Sequence, residues 1–503
     1  MKRNQVKWGV VLSYLLIGLN AIYGLLITPY VLGCLGEGEY GVYKTVSSLS
    51  ASLMVLDLGI GGTVMRYVAA YRSSKEDERI PNFIAMNLVQ AAVLCGVILA
   101  AAALVFQGIE PTYSSAFSSG QIQKAEKLFV ILVGNMVLHV FENVFNGVIT
   151  GYNRFLFGNG IKVLRLLARI VLIYMILPRI ADAVALVWID VSVTILFFLA
   201  EIVYCTCALK LRIRLTQWEK ETFFDAGKYT GLMFLTSVAA QVNSNLDNVI
   251  IGAFCGPEKV AVYSVGLVIF GVFMSLSTAV SGVLLPTVTD ILQGDKAEQE
   301  LYKLIVRAGR LQFMMLGAAV VGFACVGREF LSLWLGEGFE DVYAITLILM
   351  IPALFELCVN VCLAILRAMN RLTFRTWTLT ASTALNAFIT FLAVKYWSYI
   401  GAAFGTAASF AIGSVLVMNV YYKKRLDLPM LKIYHDIFSK IWICLLTAGV
   451  GLSLFSSLVK GTAAAFIAGV VVFAVIYGTM LLLFGFNQEE KKMLKQMRRK
   501  CHD

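Results

Sequence analysis

Fourteen long apolar segments dominate the chain. They run approximately over residues 9–33, 40–64, 82–107, 127–150, 155–177, 182–208, 229–254, 260–288, 305–327, 340–366, 373–395, 399–421, 436–458 and 462–485. The hydrocarbon core of a bilayer takes about 20 apolar residues to cross, and each segment reaches that length. No water is present there to satisfy a bare backbone, so continuous segments of this kind are restricted to α-helices. Composition supports the restriction. Hydrophobic residues make up 59% of the 503 positions and charged residues only 15%, and the mean hydropathy is +0.79. A soluble chain carries about 25% charge. A soluble enzyme, a disordered chain and a secreted disulfide scaffold are thereby excluded.

The net charge of +11 is distributed as a membrane protein distributes it, and it does not indicate nucleic acid. Cations gather in alternate loops: Arg72, Lys75 and Arg79; Arg154; Lys210, Arg212, Arg214 and Lys220; Lys296 and Lys303; Arg371; Lys423, Lys424, Arg425 and Lys432. The tail adds Lys491, Lys492, Lys495, Arg498, Arg499 and Lys500. The intervening loops hold single cations: Lys124, Arg179, Lys259, Arg328, Lys395 and Lys460. Under the positive-inside rule the first set is cytoplasmic, and both termini are expected inside. Lys2, Arg3 and Lys7 precede an apolar run far longer than a signal-peptide core of about 7–15 residues, so an uncleaved first span is expected. The longest outer loop is expected at about 107–123. The main inner excursion, 210–228, mixes basic residues with Leu211, Ile213, Leu215, Trp218, Phe223 and Phe224. It reads either as an amphipathic segment lying on the membrane surface or as a plain basic loop. Cys205, Cys207, Cys358 and Cys362 lie in apolar runs and there are only three histidines, so no metal site is expected.

The sequence repeats. Asn143-Val144 and Asn153-Arg154 return as Asn360-Val361 and Asn370-Arg371, an offset of 217. Gly36, Val42 and Tyr43 return as Gly256, Val262 and Tyr263, an offset of 220. The period spans six helices. Because six is even, both halves enter the membrane with the same orientation. That predicts an all-α integral membrane fold of two six-helix bundles, residues 1–222 and 223–432, related by a parallel repeat. Two further helices over 433–486 and a basic cytoplasmic tail over 487–503 complete it. A repeat of this type places a substrate site between the bundles near the midplane.

Three stretches carry a resemblance. Leu35-Gly36-Glu37-Gly38-Glu39-Tyr40-Gly41-Val42-Tyr43 follows the first span. Leu56-Asp57-Leu58-Gly59-Ile60-Gly61 with Arg66-Tyr67 ends the second. Asn245-Leu246-Asp247-Asn248-Val249-Ile250-Ile251-Gly252, followed by Val262-Tyr263, marks the seventh and eighth. Together, in order and at these helices, they resemble the polysaccharide transport branch of the multidrug/oligosaccharidyl-lipid/polysaccharide exporter superfamily. These are the bacterial lipid-linked oligosaccharide flippases. The resemblance implies turnover of an undecaprenyl-pyrophosphate-linked saccharide from the cytoplasmic to the outer leaflet of a bacterial plasma membrane. Its partners would be membrane lipid and the polyprenyl-linked glycan, with a glycan polymerase and glycosyltransferases alongside.

Charges within spans are costly, about 2.5–3.5 kcal/mol each at the centre on insertion scales, and each has two readings. Asp57 and Arg66 are either the inner mouth of a cavity or a helix-end motif. Asn243 and Asp247, one turn apart, line a water-filled cavity or join helices by hydrogen bonds. Lys162, Arg165 and Arg169 form one stripe on the fifth span. Guanidinium forks suit a pyrophosphate; the structural alternative is pairing with Glu142 or Glu201. Arg307 and Arg310 are their counterpart in the second half, or snorkel to the interface. Lys44 guides the headgroup outward or snorkels, and His139 relays protons or satisfies the bundle. The expected headgroup set is thus Arg66, Arg165, Arg169, Asn243, Asp247, Arg307 and Arg310. The expected gating or ion-coupling set is Lys44, Asp57, His139 and Glu142. No cofactor beyond a coupling proton or sodium ion is expected, and no catalysis. The alternatives are a multidrug exporter of the same superfamily and a membrane-embedded polysaccharide polymerase. The latter would need a long outer loop with catalytic side chains.

Overall fold

The computed structural model describes residues 2–53, 59–220, 223–225, 227, 245–281, 284–294, 297–369, 371–458, 462–487 and 490–491. Among them no strand occurs. Asp57 and Asn243 lie outside the described residues, as do Lys296, Asn370, Lys460 and the tail beyond Lys491.

The helices are α1 (Lys2–Leu53), α2 (Ile60–Ser73), α3 (Ile80–Tyr113), α4 (Ser119–Gly151), α5 (Phe155–Ile176) and α6 (Ala183–Val203). They continue with α7 (Asn245–Cys255), α8 (Pro257–Ser281), α9 (Leu284–Ile291), α10 (Ala297–Leu335), α11 (Glu340–Cys358) and α12 (Val361–Ala368). Next come α13 (Thr373–Trp397), α14 (Ile400–Ser409), α15 (Met418–Arg425), α16 (Met430–Phe438), α17 (Ile441–Leu458) and α18 (Ala463–Met480). Eleven helical segments among the described residues are long and apolar enough to cross a membrane. The other three expected spans have identifiable reasons for falling outside that set. The second is divided between α1, which bends at Gly36 (φ 76), and α2. The fifth, α5, is 22 residues long but carries three cations. Of the seventh only α7 is described.

The outer connection at 107–123 is mostly helix. α3 continues to Tyr113, and α4 starts at Ser119 behind a capping box formed by Ser118 and Gln121. The loop itself is residues 114–118. The inner excursion is non-helical over residues 210–219 rather than an amphipathic helix. It is strapped to the start of α3. Asn82 accepts from the Thr216 and Gln217 N–H groups (2.9 and 3.2 Å) and donates to the Gln217 carbonyl (2.9 Å). Arg79 pairs with Glu219 at 2.6 Å.

The repeat has a structural counterpart. Tyr152 N–H bonds to the Val148 carbonyl and Met369 N–H to Ile365; Arg154 N–H bonds to Ile149 and Arg371 N–H to Leu366. Every one of these pairs is offset by 217. Gly36 and Gly256, offset by 220, both take positive φ, 76° and 87°. α2 packs on α4, and its equivalent α9 packs on α12.

Contacts divide the chain into two units: residues 1–268 with 383–405, and residues 269–382 with 406–503. In the first, α2 lies close against α4, where a Cβ on Gly147 would stand 2.6 Å from the Gly61 carbonyl oxygen. Val64, Val68, Ile84, Val140, Val144 and Val148 form the surrounding core. At the end that loop charge assigns to the exterior, the later part of α1 meets α7 and the start of α8. A Cβ on Gly41 would overlap the Pro257 carbonyl, and one on Gly252 would stand 2.8 Å from Thr45 Cγ2. Glycine permits this approach of backbone to backbone. In the second unit α10 packs against α11, α16 and α17, with Gly309 and Gly317 facing Ile437 and Leu445.

A candidate polar cavity

The α5 stripe is the natural starting point, since three cations on one helix face must meet water or anions. They do both. A cavity of about 430 Å³ in the first unit is lined by Leu16 and Asn20 of α1, Asn135 and His139 of α4, Lys162, Arg165, Leu166 and Arg169 of α5, and Asp190, Val193 and Thr194 of α6.

Arg165 is held as a fork. Nη1 and Nη2 donate to the two Glu142 carboxylate oxygens at 2.5 and 3.2 Å, and Nη2 also donates to Thr194 Oγ1 at 3.0 Å. His139 Nδ1 stands 2.8 Å from the same carboxylate. Arg169 pairs with Asp190, Nε to Oδ1 at 2.6 Å and Nη2 to Oδ2 at 2.8 Å, and lies over the Tyr23 ring at 5.3 Å. Lys44 lies over the Tyr40 and Tyr43 rings at 5.2 and 5.8 Å, within electrostatic reach of Arg169 and Asp190. Glu201, 1% exposed, accepts from Asn146 at 3.3 Å. Lys162 is exposed at the cavity and makes no ion pair among the described residues.

The sequence-derived residues therefore separate. Arg165, Arg169, His139, Glu142 and Lys44 share one region of the first unit. Arg66 is exposed on α2 and does not line the cavity. Asp247 is 3% exposed and belongs to a hydrogen-bonded group joining α7, α8 and α13. Tyr263 Oη donates to it at 2.5 Å and Thr390 Oγ1 at 3.3 Å, and Thr390 also reaches Asn386 Oδ1 at 3.0 Å. One carboxylate and three neutral oxygens meet there, the donor types a small hard cation takes. In the second unit Arg307 is exposed and Arg310 is 2% exposed. All five Arg310 donors are committed: to both Glu490 oxygens, and to the carbonyls of Asp436, Ser439 and Gly485. Arg310 is a clamp between α10 and the chain around α16 and α18, with no donor left for a headgroup. No group of three His, Cys, Asp or Glu side chains placed to hold a metal occurs among the described residues.

Asp190, Thr194, Asn20 and Asn135 were not anticipated. For Asp190 a signal existed. Arg169 and Asp190 each lie seven residues, about 10 Å at 1.5 Å per residue, from the ends of α5 and α6 that flank their shared loop. Two opposite charges at matched depth on consecutive helices are placed to pair.

Comparison with known proteins agrees with the fold. "Probable flippase AglR" of Haloferax volcanii is 24% identical over 415 residues, covering 81% of each chain. A solved lipid II flippase MurJ in an inward closed conformation superposes with a TM-score of 0.72 at 14% identity, over 94% of this chain and 97% of the other. An inward-facing multidrug resistance MATE family transporter of the MOP superfamily gives 0.64 at 15% identity, over 82% and 94%. The sequence profile of the family described as "Polysaccharide biosynthesis protein" matches residues 6–292. That match covers more than half of the chain and includes the whole cavity, so the chain belongs to the polysaccharide biosynthesis protein family.

Proposed function

We propose that the protein is a flippase that moves an undecaprenyl-pyrophosphate-linked oligosaccharide from the cytoplasmic to the outer leaflet of a bacterial plasma membrane by alternating access. The observation that carries this reading is the cavity. Its lining bears Lys162, Arg165 and Arg169; Glu142 and Asp190 pair with the two arginines, and Lys162 remains exposed with no ion pair among the described residues, so the cavity keeps a positive surplus. A cavity with an exposed cation inside a membrane helix bundle suits a phosphate-bearing headgroup. Family membership and the flippase relative support the same substrate class.

Loop charge supports cytoplasmic termini. The protein then carries no covalent chemistry of its own. It receives its substrate from glycosyltransferases and delivers it to a glycan polymerase. A coupling proton or sodium ion would act at the His139–Glu142 pair or at Asp247, where a carboxylate is buried beside polar partners.

Lys162 provides the test, because its removal leaves no ion pair broken. In vesicles carrying a pyrophosphate-linked saccharide, Lys162→Gln and Lys162→Glu are expected to slow flipping about tenfold and more than tenfold, at normal protein level. Flipping at the parental rate in both variants would remove the cavity from the substrate path.

A further inference from the structure

Glu201 stands two residues from the end of α6 that loop charge assigns to the cytoplasm, and it is buried without lining the cavity. Oε1 accepts a single hydrogen bond, from Asn146 Nδ2 of α4 at 3.3 Å, and Oε2 is buried with no hydrogen-bond partner. Glu201 makes no ion pair among the described residues. Aromatic side chains close over it. Phe198, three residues before it, meets Phe145 of α4 at 5.8 Å, and Tyr204, three residues after it, stacks on Phe157 of α5 at 3.6 Å. From Tyr204 to Ala208 the helix is π-helical, an irregularity often found at functional positions.

The charged and titratable groups that face Glu201 are Glu142 on α4, Arg165 and Lys162 on α5 and the Cys205 thiol on its own helix. Glu142 is the opposite case. Both its oxygens take the Arg165 fork, and His139 stands 2.8 Å away, so its charge is compensated and the Arg165 charge is spent. A second carboxylate at Glu201 would be an unpaired charge, cut off from water and beside a like charge. The neutral acid avoids both costs.

We propose that Glu201 is a proton-binding site, holding a proton in the arrangement seen and coupled through Lys162 to the anion in the neighbouring cavity. The coupling has a definite sign. With the cavity empty, the exposed Lys162 ammonium favours the ionised form of Glu201. An anionic headgroup seated on Lys162 offsets that field and favours the proton. Anion and proton therefore assist each other, and by reciprocity the anion binds more tightly to the protonated protein. The proton site stands on burial and missing partners alone; its coupling to the anion rests on the transport reading of the cavity.

Two measurements on the full-length protein keep these apart. The infrared spectrum of wild type minus that of Glu201→Gln, near neutral pH, is expected to contain the carbonyl band of a protonated carboxylic acid. Carboxylate bands in its place overturn the proposal, whatever the cavity binds. Farnesyl pyrophosphate is then titrated calorimetrically into wild type, Glu201→Gln, Glu201→Asp and Lys162→Gln at a series of pH values. The ionisation of the probe is common to all four and cancels in ratios. The affinity of wild type relative to Glu201→Gln is expected to fall about five- to tenfold as pH rises, and Glu201→Asp is expected to keep a pH dependence of the same sign. A purely structural Glu201 would give ratios constant with pH, and that result overturns the coupling. Farnesyl pyrophosphate that fails to bind, or binds Lys162→Gln as tightly as wild type, overturns the transport reading of the cavity and the coupling with it, while the infrared band still decides the proton site.

Discussion

At the scale of single residues, the question is what an ion pair inside a membrane bundle does for the fold. Glu142 has a side chain only 7% exposed and takes both forks of Arg165. Removing the arginine strands the carboxylate in a medium of low dielectric, at a cost of about 3–5 kcal/mol. Arg165→Ala is therefore expected to lower the melting temperature and the amount of protein in the membrane, and Glu142→Gln in the same chain is expected to restore much of both. A double variant as unstable as Arg165→Ala alone would show that the pair is not what Arg165 supplies. Lys162, which makes no ion pair among the described residues, should show the converse: normal protein and reduced transport. The stripe Lys162, Arg165, Arg169 was readable from spacing alone, and so was Glu142 as a partner. Which carboxylate meets which arginine was readable only in part: depth along the helices matches Arg169 with Asp190, but the pairing also depends on helix rotation, which spacing does not give. Arg169 meets Asp190, and Glu201 meets Asn146.

At the scale of helices, the approach of α2 to α4 depends on Gly147 and Gly151, four residues apart and therefore on one face. A Cβ at Gly147 would lie 2.9 Å from Val64 Cβ, and one at Gly151 would lie 2.9 Å from Val68 Cβ. Overpacking of this kind costs about 1–3 kcal/mol. Gly147→Ala is expected to destabilise the purified protein by that amount. Gly134→Ala in the same helix, where a Cβ meets nothing within 4 Å, is the neutral control, and equal melting temperatures for the two would contradict the close-packing account. α16 adds a charged contact to its apolar packing on α10. The hydrogen bond from Tyr302 and the neighbouring His435 hold the Asp436 carboxyl below its ordinary range. The folded pKa is the lower one, so this contribution is present above the unfolded value, about 3.9, and disappears as pH falls through the folded value. The melting temperature of wild type minus that of Asp436→Asn should therefore be constant near neutrality and shrink only below about pH 4. A difference that vanished between pH 6 and 5 would assign the effect to another group. Continuous helices were legible from apolar length. Their interruptions, such as that between Cys358 and Val361 inside one apolar run, were not, since hydropathy does not change across them.

At the scale of the whole chain, the two sequence halves meet within the first unit, at the end assigned to the exterior. Asn248 Nδ2 donates to Ser48 Oγ at 2.9 Å, Tyr113 Oη lies 3.5 Å from the Val249 carbonyl, and Thr45 packs on Gly252. These are small side chains and neutral hydrogen bonds, each worth about 0.5–1.5 kcal/mol net. A contact built this way closes without gaps and separates at modest cost, as one state of an alternating mechanism requires. The repeat made the correspondence of Gly36 and Gly256 visible in the sequence; that Ser48 and Asn248 touch across it needed the three-dimensional arrangement. If export proceeds by opening this contact, locking it must stop export. Ser48→Cys/Asn248→Cys, in a chain whose ten native cysteines are replaced, is expected to form a disulfide on oxidation with little distortion. The oxidised protein should hold its substrate site accessible from one side only and flip no lipid, and reduction should return the rate to that of the unoxidised variant. Oxidised protein, verified as fully cross-linked, that flips lipid at the reduced rate would mean that the halves do not part here, and the exit would then have to be sought away from α1, α7 and α8.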